Sequence, residues 1–318
     1  MRFMDGHCDV LWKIWKDPEK YLFDAEDSPS MDVTYQRLKD GNVGLETFAI
    51  FVPSEVPKAQ KLDVALKQID YFYEKVLSKP GMQLVRSAED LQNSSTDTCL
   101  ALLSLEGADA LNGELAYLRL FYHLGVRQVG LTWNQANEVA DGIGEERGGG
   151  LTQFGFQFVQ EMERLRMILD VSHLSVRGFW DVVEHHSLPI IASHSNCMSI
   201  CSHKRNLNND QILALISKKG LMGITFVPSF LHRMENKARI GDIILHIEHV
   251  CELGGEDILY FGSDFDGFTV KVPGLEHIGQ VNNLLRELEK HYPSRLIQKW
   301  CWENAYLFYK EHLATKKR

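Results

Sequence analysis

The chain has 318 residues, 44% of them hydrophobic and 24% charged, with 9 prolines against 24 glycines. This composition excludes a disordered or fibrous protein, and at about 150 residues per domain the length suits two ordinary domains or one large α/β barrel. Lys plus Arg number 34 against 43 Asp plus Glu, and the net charge of −9 repels phosphate backbones and anionic bilayers, so neither nucleic acid nor membrane is an expected partner.

In chain order, β-rich apolar runs fall at 3–9, 43–52, 99–106, 126–133, 167–173, 189–194, 221–227 and 258–264. Between them, the stretches 59–77, 115–124, 154–165, 176–185, 210–218 and 240–253 return an apolar residue every three or four positions, the period of an amphipathic helix. Runs such as Ala101-Leu102-Leu103-Ser104-Leu105 are apolar on both parities, as a strand buried on both faces of a parallel sheet must be. Eight strand–helix units predict an α/β fold, a (β/α)8 TIM barrel forming a single domain over 1–318. The helical stretches 278–290 and 294–312 then become extra C-terminal helices that cap or flank the barrel. The segment 142–150, with five glycines in nine residues, reads as a mobile loop on the barrel face, and Lys316-Lys317-Arg318 as a solvated tail. No apolar run reaches the roughly 18 residues of a bilayer span, and Met1-Arg2-Phe3-Met4-Asp5 meets a carboxylate too early for a signal-peptide core. Six cysteines, of which only Cys197 and Cys201 lie close in sequence, form no disulfide framework, and a reducing cytoplasm is the expected location.

Active sites of parallel barrels lie where the strands end at their carboxyl side. The polar residues of this chain gather there: Asp5-Gly6-His7-Cys8-Asp9, Ser104-Leu105-Glu106-Gly107, Asp170-Val171-Ser172-His173, Ser193-His194-Ser195 and Gly262-Ser263-Asp264-Phe265-Asp266-Gly267. His7 and Asp9 share a side of their strand, so an imidazole and a carboxylate can grip one cation. A catalytic zinc takes about three protein ligands and keeps a position open for water. His7, Asp9, Glu106, His173 and His194 supply three contacts to each of two ions if Glu106 bridges, which predicts two metals with a hydroxide between them. Other clusters read as structural. The spacing of His194, Cys197, Cys201 and His203 suits a zinc knuckle poorly, and His246-Ile247-Glu248-His249 reads as a solvated face of an outer helix. His185-His186 ends a helix, where an imidazolium suits the dipole.

Taken in order, Asp5-Gly6-His7-x-Asp9, Glu106-Gly107, Leu151-Thr152-x-Phe154-Gly155, Asp170-Val171-Ser172-His173, Ser193-His194-Ser195, Lys204-Arg205-Asn206 and Gly262-x-Asp264-Phe265-Asp266-Gly267 resemble the membrane (renal-type) dipeptidase family, peptidase family M19 of the amidohydrolase superfamily. The resemblance runs to about His312. It implies a barrel holding two zinc ions, with His7 and Asp9 on the first, His173 and His194 on the second, and Glu106 bridging. It also implies that Arg205 receives the free carboxylate of a substrate, that Asp264 contacts the amino group and moves the proton, and that the chain forms a homodimer. The sequence departs from the family at Leu131-Thr132-Trp133-Asn134, where Trp133 stands in place of a histidine that polarises the scissile carbonyl. An indole donates one hydrogen bond and cannot become a cation, so that role is expected to pass to a metal ion or to Asn134. Glu106-Gly107-Ala108-Asp109 lacks the renal enzyme's second glycine and histidine, and Arg166 stands where the family usually has glycine in a helix-to-strand turn.

The expected function is therefore that of a metal-dependent dipeptidase with zinc as cofactor, although the same ligands accept manganese, cobalt or iron. Asp264 and Glu106 are the expected catalytic residues, while Arg205, Trp133, Asn134 and Asp264 contact a dipeptide that can carry a D-residue at its carboxyl end. The alternative is another hydrolase of the superfamily, acting on an N-acyl amino acid, a lactam or a cyclic amide.

Overall fold

The computed structural model describes residues 1–25 and 28–315; the basic end Lys316-Lys317-Arg318 lies outside the described residues. Nine parallel strands form one sheet: β1 (Phe3–Cys8), β2 (Val43–Phe51), β3 (Met82–Leu84), β4 (Cys99–Glu106), β5 (Val126–Gly130), β6 (Ile168–Asp170), β7 (Ile190–Ala192), β8 (Leu221–Ile224) and β9 (Leu259–Phe261). Pairing of β2 with β4, from Leu45 opposite Leu100 to Phe51 opposite Glu106, closes eight of them into a (β/α)8 barrel. β3 pairs only with the start of β4 and stands outside the ring. Its three half-buried residues are too few to show a period of two, and the sequence gives no sign of them.

Several strands are shorter than their apolar runs. The run 167–173 contains a strand of only three residues, because the chain then leaves the ladder and buries Val171, Ser172 and His173 in rim turns. Apolar character reports burial, whichever secondary structure provides it.

Leu100 and Leu102 of β4 join Met4, Leu45, Ile168 and Ile191 in a cluster inside the amino-terminal half of the barrel. The C-terminal helix Asn304–His312 plugs that end with Ala305, Phe308 and Tyr309, and Tyr309 Oη donates to Gln128 Oε1 at 2.9 Å. Each large side chain so buried contributes about 1.5–3 kcal/mol relative to exposure. A floor of this kind fixes the strands, and their opposite ends are left to carry chemistry.

Three expectations change. The 142–150 segment is tied down on several sides. Ile143 N donates to His173 O at 2.7 Å, the side chain of Glu145 accepts from Ala136 N at 2.8 Å, and Arg147 Nε and Gly149 N both donate to Asp141 Oδ2 at 2.7 and 2.8 Å. His246 does not face solvent: it is buried, accepts from Cys197 N through Nδ1 at 3.0 Å and faces Leu231 O with Nε2. His186 is likewise buried, and burial pushes its imidazole down to about 4, so it is neutral; the cation at that helix end is Lys218, whose Nζ donates to His186 O at 2.5 Å. The folded state thus resists a proton that the unfolded chain accepts near 6.5, and this contribution to stability is present above pH 6.5 and lost as pH falls through 4. We expect His186→Phe to shrink the fall in Tm between pH 6.5 and 4; identical acid profiles for mutant and native protein would refute this.

Among the described residues no helix is long and apolar enough to cross a membrane.

Candidate metal centre

The carboxyl ends of β1, β4, β6 and β7 and the turns beyond them bring His7, Asp9, Glu106, His173 and His194 to one rim. Glu106 is at the middle. Its Oε2 lies 3.6 Å from His7 Nε2, and its Oε1 lies 2.9 Å from His173 Nε2 and 3.6 Å from His194 Nε2. Asp9 Oδ2 is 3.7 Å from His7 Nε2 on the other side. His7, Glu106 and His194 converge closely enough to hold one metal ion, and so do His7, Asp9 and Asp264.

The local backbone serves this convergence. After Glu106 the chain turns through Gly107 at φ 83°, where a side chain would press on Trp133 N at 3.2 Å. His173 itself sits at φ 67°, which swings its ring off the line of β6 and back over the barrel. A Cβ on Gly267 would come within 2.3 Å of Asp9 Oδ2 and 2.6 Å of Asp264 Oδ1, so this position admits no side chain without moving the two carboxylates.

Hydrogen bonds assign the protons on two of the rings. Asn134 Oδ1 can only accept, so His173 donates to it from Nδ1 at 3.0 Å. Ser193 Oγ gives its proton to Asp170 Oδ2 and therefore accepts from His194 Nδ1 at 2.8 Å. Both Nε2 atoms are then bare lone pairs, and they face each other at 2.8 Å with Glu106 Oε1 beside them. Two lone pairs and a carboxylate oxygen aimed at one point repel unless positive charge lies between them. On the other side, both ring nitrogens of His7 and Oδ1 of Asp9 are buried without a hydrogen-bond partner. Imidazole nitrogens and carboxylate oxygens left open in this way suit a divalent cation of the zinc type.

The electrostatics agree. Burial opposes ionisation of Glu106, yet His7 and His173 outweigh it and hold the carboxyl well below the usual range. Burial, with Arg205 adding repulsion, pushes His173 down to about 4; burial, His7 and Arg205 together drive His194 well below its ordinary value. His7 goes the other way, because Glu106 and Asp9 overcome its burial. Deeper in the barrel, burial raises Asp5 to about 6 and raises Glu46 well above the usual range.

A pocket of about 570 Å³ opens over the rim, walled by Trp12, Phe51, Trp133 and Phe230, with Arg205 and Asp264 deeper in. Trp133 leans on Phe51 and His173, with ring centroids 5.1 and 6.1 Å apart, and so forms apolar wall. Asn134 also lines the pocket, but its side-chain oxygen is occupied in orienting His173. Arg205 is only 5% exposed: one Nη donates to His194 O at 3.2 Å, the guanidinium lies 5.5 Å from the ring of Phe230, and Nε is buried without a partner. Burial lowers its pKa to about 10, and it remains a cation.

Asp264 does not end a strand, since β9 stops at Phe261 and Asp264 adopts φ 64°. That bend turns its carboxylate into the pocket beside Asp9, and burial, with Asp9 and Glu106 adding repulsion, pushes its pKa well up. Asp266, at φ 72°, faces away. It accepts from Lys13 Nζ at 2.8 Å, Asp32 N at 2.7 Å and Val33 N at 3.0 Å, and so anchors the 31–33 segment. Asp170 and Ser193 are the positioning residues that the sequence reading passed over, although Asp170 stands three residues before His173 and Ser193 directly before His194.

A closed parallel barrel whose carboxyl rim gathers imidazoles and carboxylates around one point is the construction of a metallohydrolase. The sequence profile of the membrane dipeptidase family, peptidase family M19, matches residues 1–317, and the chain belongs to that family. It is 32% identical over 293 residues to dipeptidase 3 of Rattus norvegicus, covering 90% of this chain and 59% of that protein. An uncharacterised protein from the pqqA 5′ region of Klebsiella pneumoniae is 31% identical over 258 residues, 76% of this chain and 94% of the other. Among solved structures, a metallopeptidase from Rhodobacter sphaeroides liganded with a phosphinate mimic of the dipeptide L-Ala-D-Ala superposes with a TM-score of 0.91 at 26% identity, over 99% of both chains. Dipeptidase AC, an M19 metallopeptidase, gives 0.92 at 26% identity over 98% of this chain and 99% of its own. The chain thus spans about three fifths of the mammalian relative and nearly all of the two solved structures.

Proposed function

We propose that this protein is a dinuclear zinc dipeptidase, in which His7, Asp9 and Glu106 hold one ion and Glu106, His173 and His194 the other. The observation that carries this reading is the pair of bare Nε2 lone pairs facing each other beside Glu106, with His7 and Asp9 unpartnered on the opposite side. When bound, two such ions supply a deprotonated water near neutral pH and attract the developing charge on the scissile carbonyl oxygen.

The chain's own residues supply the rest. Arg205 offers its free Nε and the remaining N–H groups of its guanidinium to the substrate carboxylate, in a pocket from which the apolar wall excludes water. Asp264, between Asp9 and the pocket, takes a proton at a carboxylate oxygen from the attacking water and returns it to the leaving amine nitrogen. Asn134 and the Asp170–Ser193 pair hold the two imidazoles with Nε2 inward throughout. Trp133 contributes apolar wall and no positive charge at the carbonyl. Acceptance of a D-residue at the carboxyl end is supported by the mimic bound to the Rhodobacter sphaeroides relative.

The test is a panel of dipeptides with L and D carboxyl-terminal residues, assayed with metal content in parallel. Arg205→Met should raise KM for dipeptides by an amount on the order of 2–5 kcal/mol in apparent binding, while a C-terminally amidated dipeptide, already poor for the native enzyme, changes little. Equal loss on both substrates would remove Arg205 from carboxylate recognition. Faster turnover of N-acyl amino acids than of dipeptides would transfer the assignment to the alternative hydrolase class.

A further inference from the structure

At the other end of the barrel a second cavity, of about 720 Å³, opens beside the starts of β5 and β6. Five arginines line it, Arg86, Arg119, Arg127, Arg164 and Arg166, and among the described residues no carboxylate does. In a chain of net charge −9 this is a local reversal of sign.

The arginines are under-compensated. Arg119 and Arg164 share a single carboxylate, Glu161, at 3.0 and 2.7 Å. Arg127 is 6% exposed and forms no ion pair with a carboxylate among the described residues: Nε donates to Arg86 O at 2.7 Å, Nη1 donates to Tyr122 O at 2.6 Å and Val126 O at 2.8 Å, and the guanidinium lies 4.0 Å over the Tyr122 ring. Those bonds fix the plane of the guanidinium and leave Nη2 with no acceptor among the described residues. Burial, with Arg86 as an added repulsion, lowers its pKa. The side chains of Arg86 and Arg166 meet no acceptor among the described residues either. Arg166 also occupies a left-handed helix end at φ 54°, where glycine would stand unstrained and a longer side chain is strained.

We propose that this basal cavity binds a phosphate-bearing small anion. Planar guanidinium forks match phosphate oxygens in pairs, and five of them around one concavity meet two phosphate groups better than one carboxylate. The cavity has the volume of a small-molecule site, and the overall negative charge of the chain disfavours a nucleic-acid backbone. Tyr122, held flat under Arg127, adds an aromatic surface to the wall. This site is separate from the metal centre and does not depend on the peptidase reading.

Equilibrium binding of inorganic pyrophosphate and of adenosine diphosphate to the holoenzyme tests the proposal, with the double variant Arg86→Gln/Arg166→Gln and, separately, Arg205→Met. Both altered basal residues project from the surface, and neither takes part in peptide hydrolysis, so the double variant should fold and retain basal turnover. Saturable binding that weakens at least tenfold in the double variant and persists in Arg205→Met is the expected result. Tighter binding of pyrophosphate then assigns an inorganic ion, and tighter binding of the nucleotide an organic phosphate. Binding that is absent from the native protein, unchanged in the double variant, or abolished by Arg205→Met overturns the proposal; the last outcome would place the anion at the metal centre. A failure here leaves dipeptide hydrolysis untouched, so the two readings fall independently.

Discussion

Glu106→Gln should empty both metal positions and remove nearly all peptidase activity from a barrel that stays folded. Among the described residues Glu106 is the one carboxylate within 4 Å of His7, His173 and His194 together, and its two oxygens face opposite halves of the centre. An amide keeps the size and loses the charge, and its NH2 group has no lone pair for a cation. Metal affinity should therefore fall by more than the roughly 10–100-fold lost when a partner behind a ligand is removed. His7→Ala should behave differently, depleting mainly the side shared with Asp9. Elemental analysis of the two purified variants, with circular dichroism to confirm folding, separates the cases. About two ions per chain and full activity in Glu106→Gln would end the bridging assignment.

Asp264→Asn should retain its metals and still bind a dipeptide, yet lose roughly 10²–10⁴-fold in kcat, the range expected for a missing acid/base group. Its carboxylate is the one in the pocket that adjoins Asp9 and is committed to none of the three imidazoles. Asp266→Asn is the informative contrast. Two residues along an extended strand would put both carboxylates on one side, but both residues lie in the left-handed region, and the chain turns between them. Asp266 ends up under the 31–33 segment with Lys13, so its amide variant should lose thermal stability and keep most of its kcat. An inactive Asp266→Asn beside a normal Asp264→Asn would mean that the base lies two residues away from the position assigned.

Much of the fold could be read from the pattern of apolar runs. β4 matches its run residue for residue, and the helix Val176–His185 matches its predicted span, because continuous burial of a central strand and a strong amphipathic stripe leave unambiguous periods. β3 and the short helices Tyr35–Asp40 and Ala88–Gln92 were not legible, since three to six residues cannot display a period and their burial comes from neighbours.

For the site, the sequence by itself determined the inventory of imidazoles and carboxylates at the strand ends; the expectation that Arg205 meets a substrate comes from resemblance to the family. Only the tertiary structure decided direction. It turned Asp264 into the pocket and Asp266 out of it, gave the Asn134 oxygen to His173, buried His246 where a solvated helix face was expected and His186 where a helix-end imidazolium was, and secured the glycine-rich 142–150 segment. It also gathered Arg86, Arg119 and Arg127 from separate places in the chain beside the helix-end pair Arg164 and Arg166 in one cavity. The physical reason is the range of the forces involved. Hydrophobic periodicity is set by neighbours within a few residues, whereas the orientation of a polar side chain depends on a donor or acceptor that can lie far away in sequence, as Lys13 lies 253 residues from Asp266.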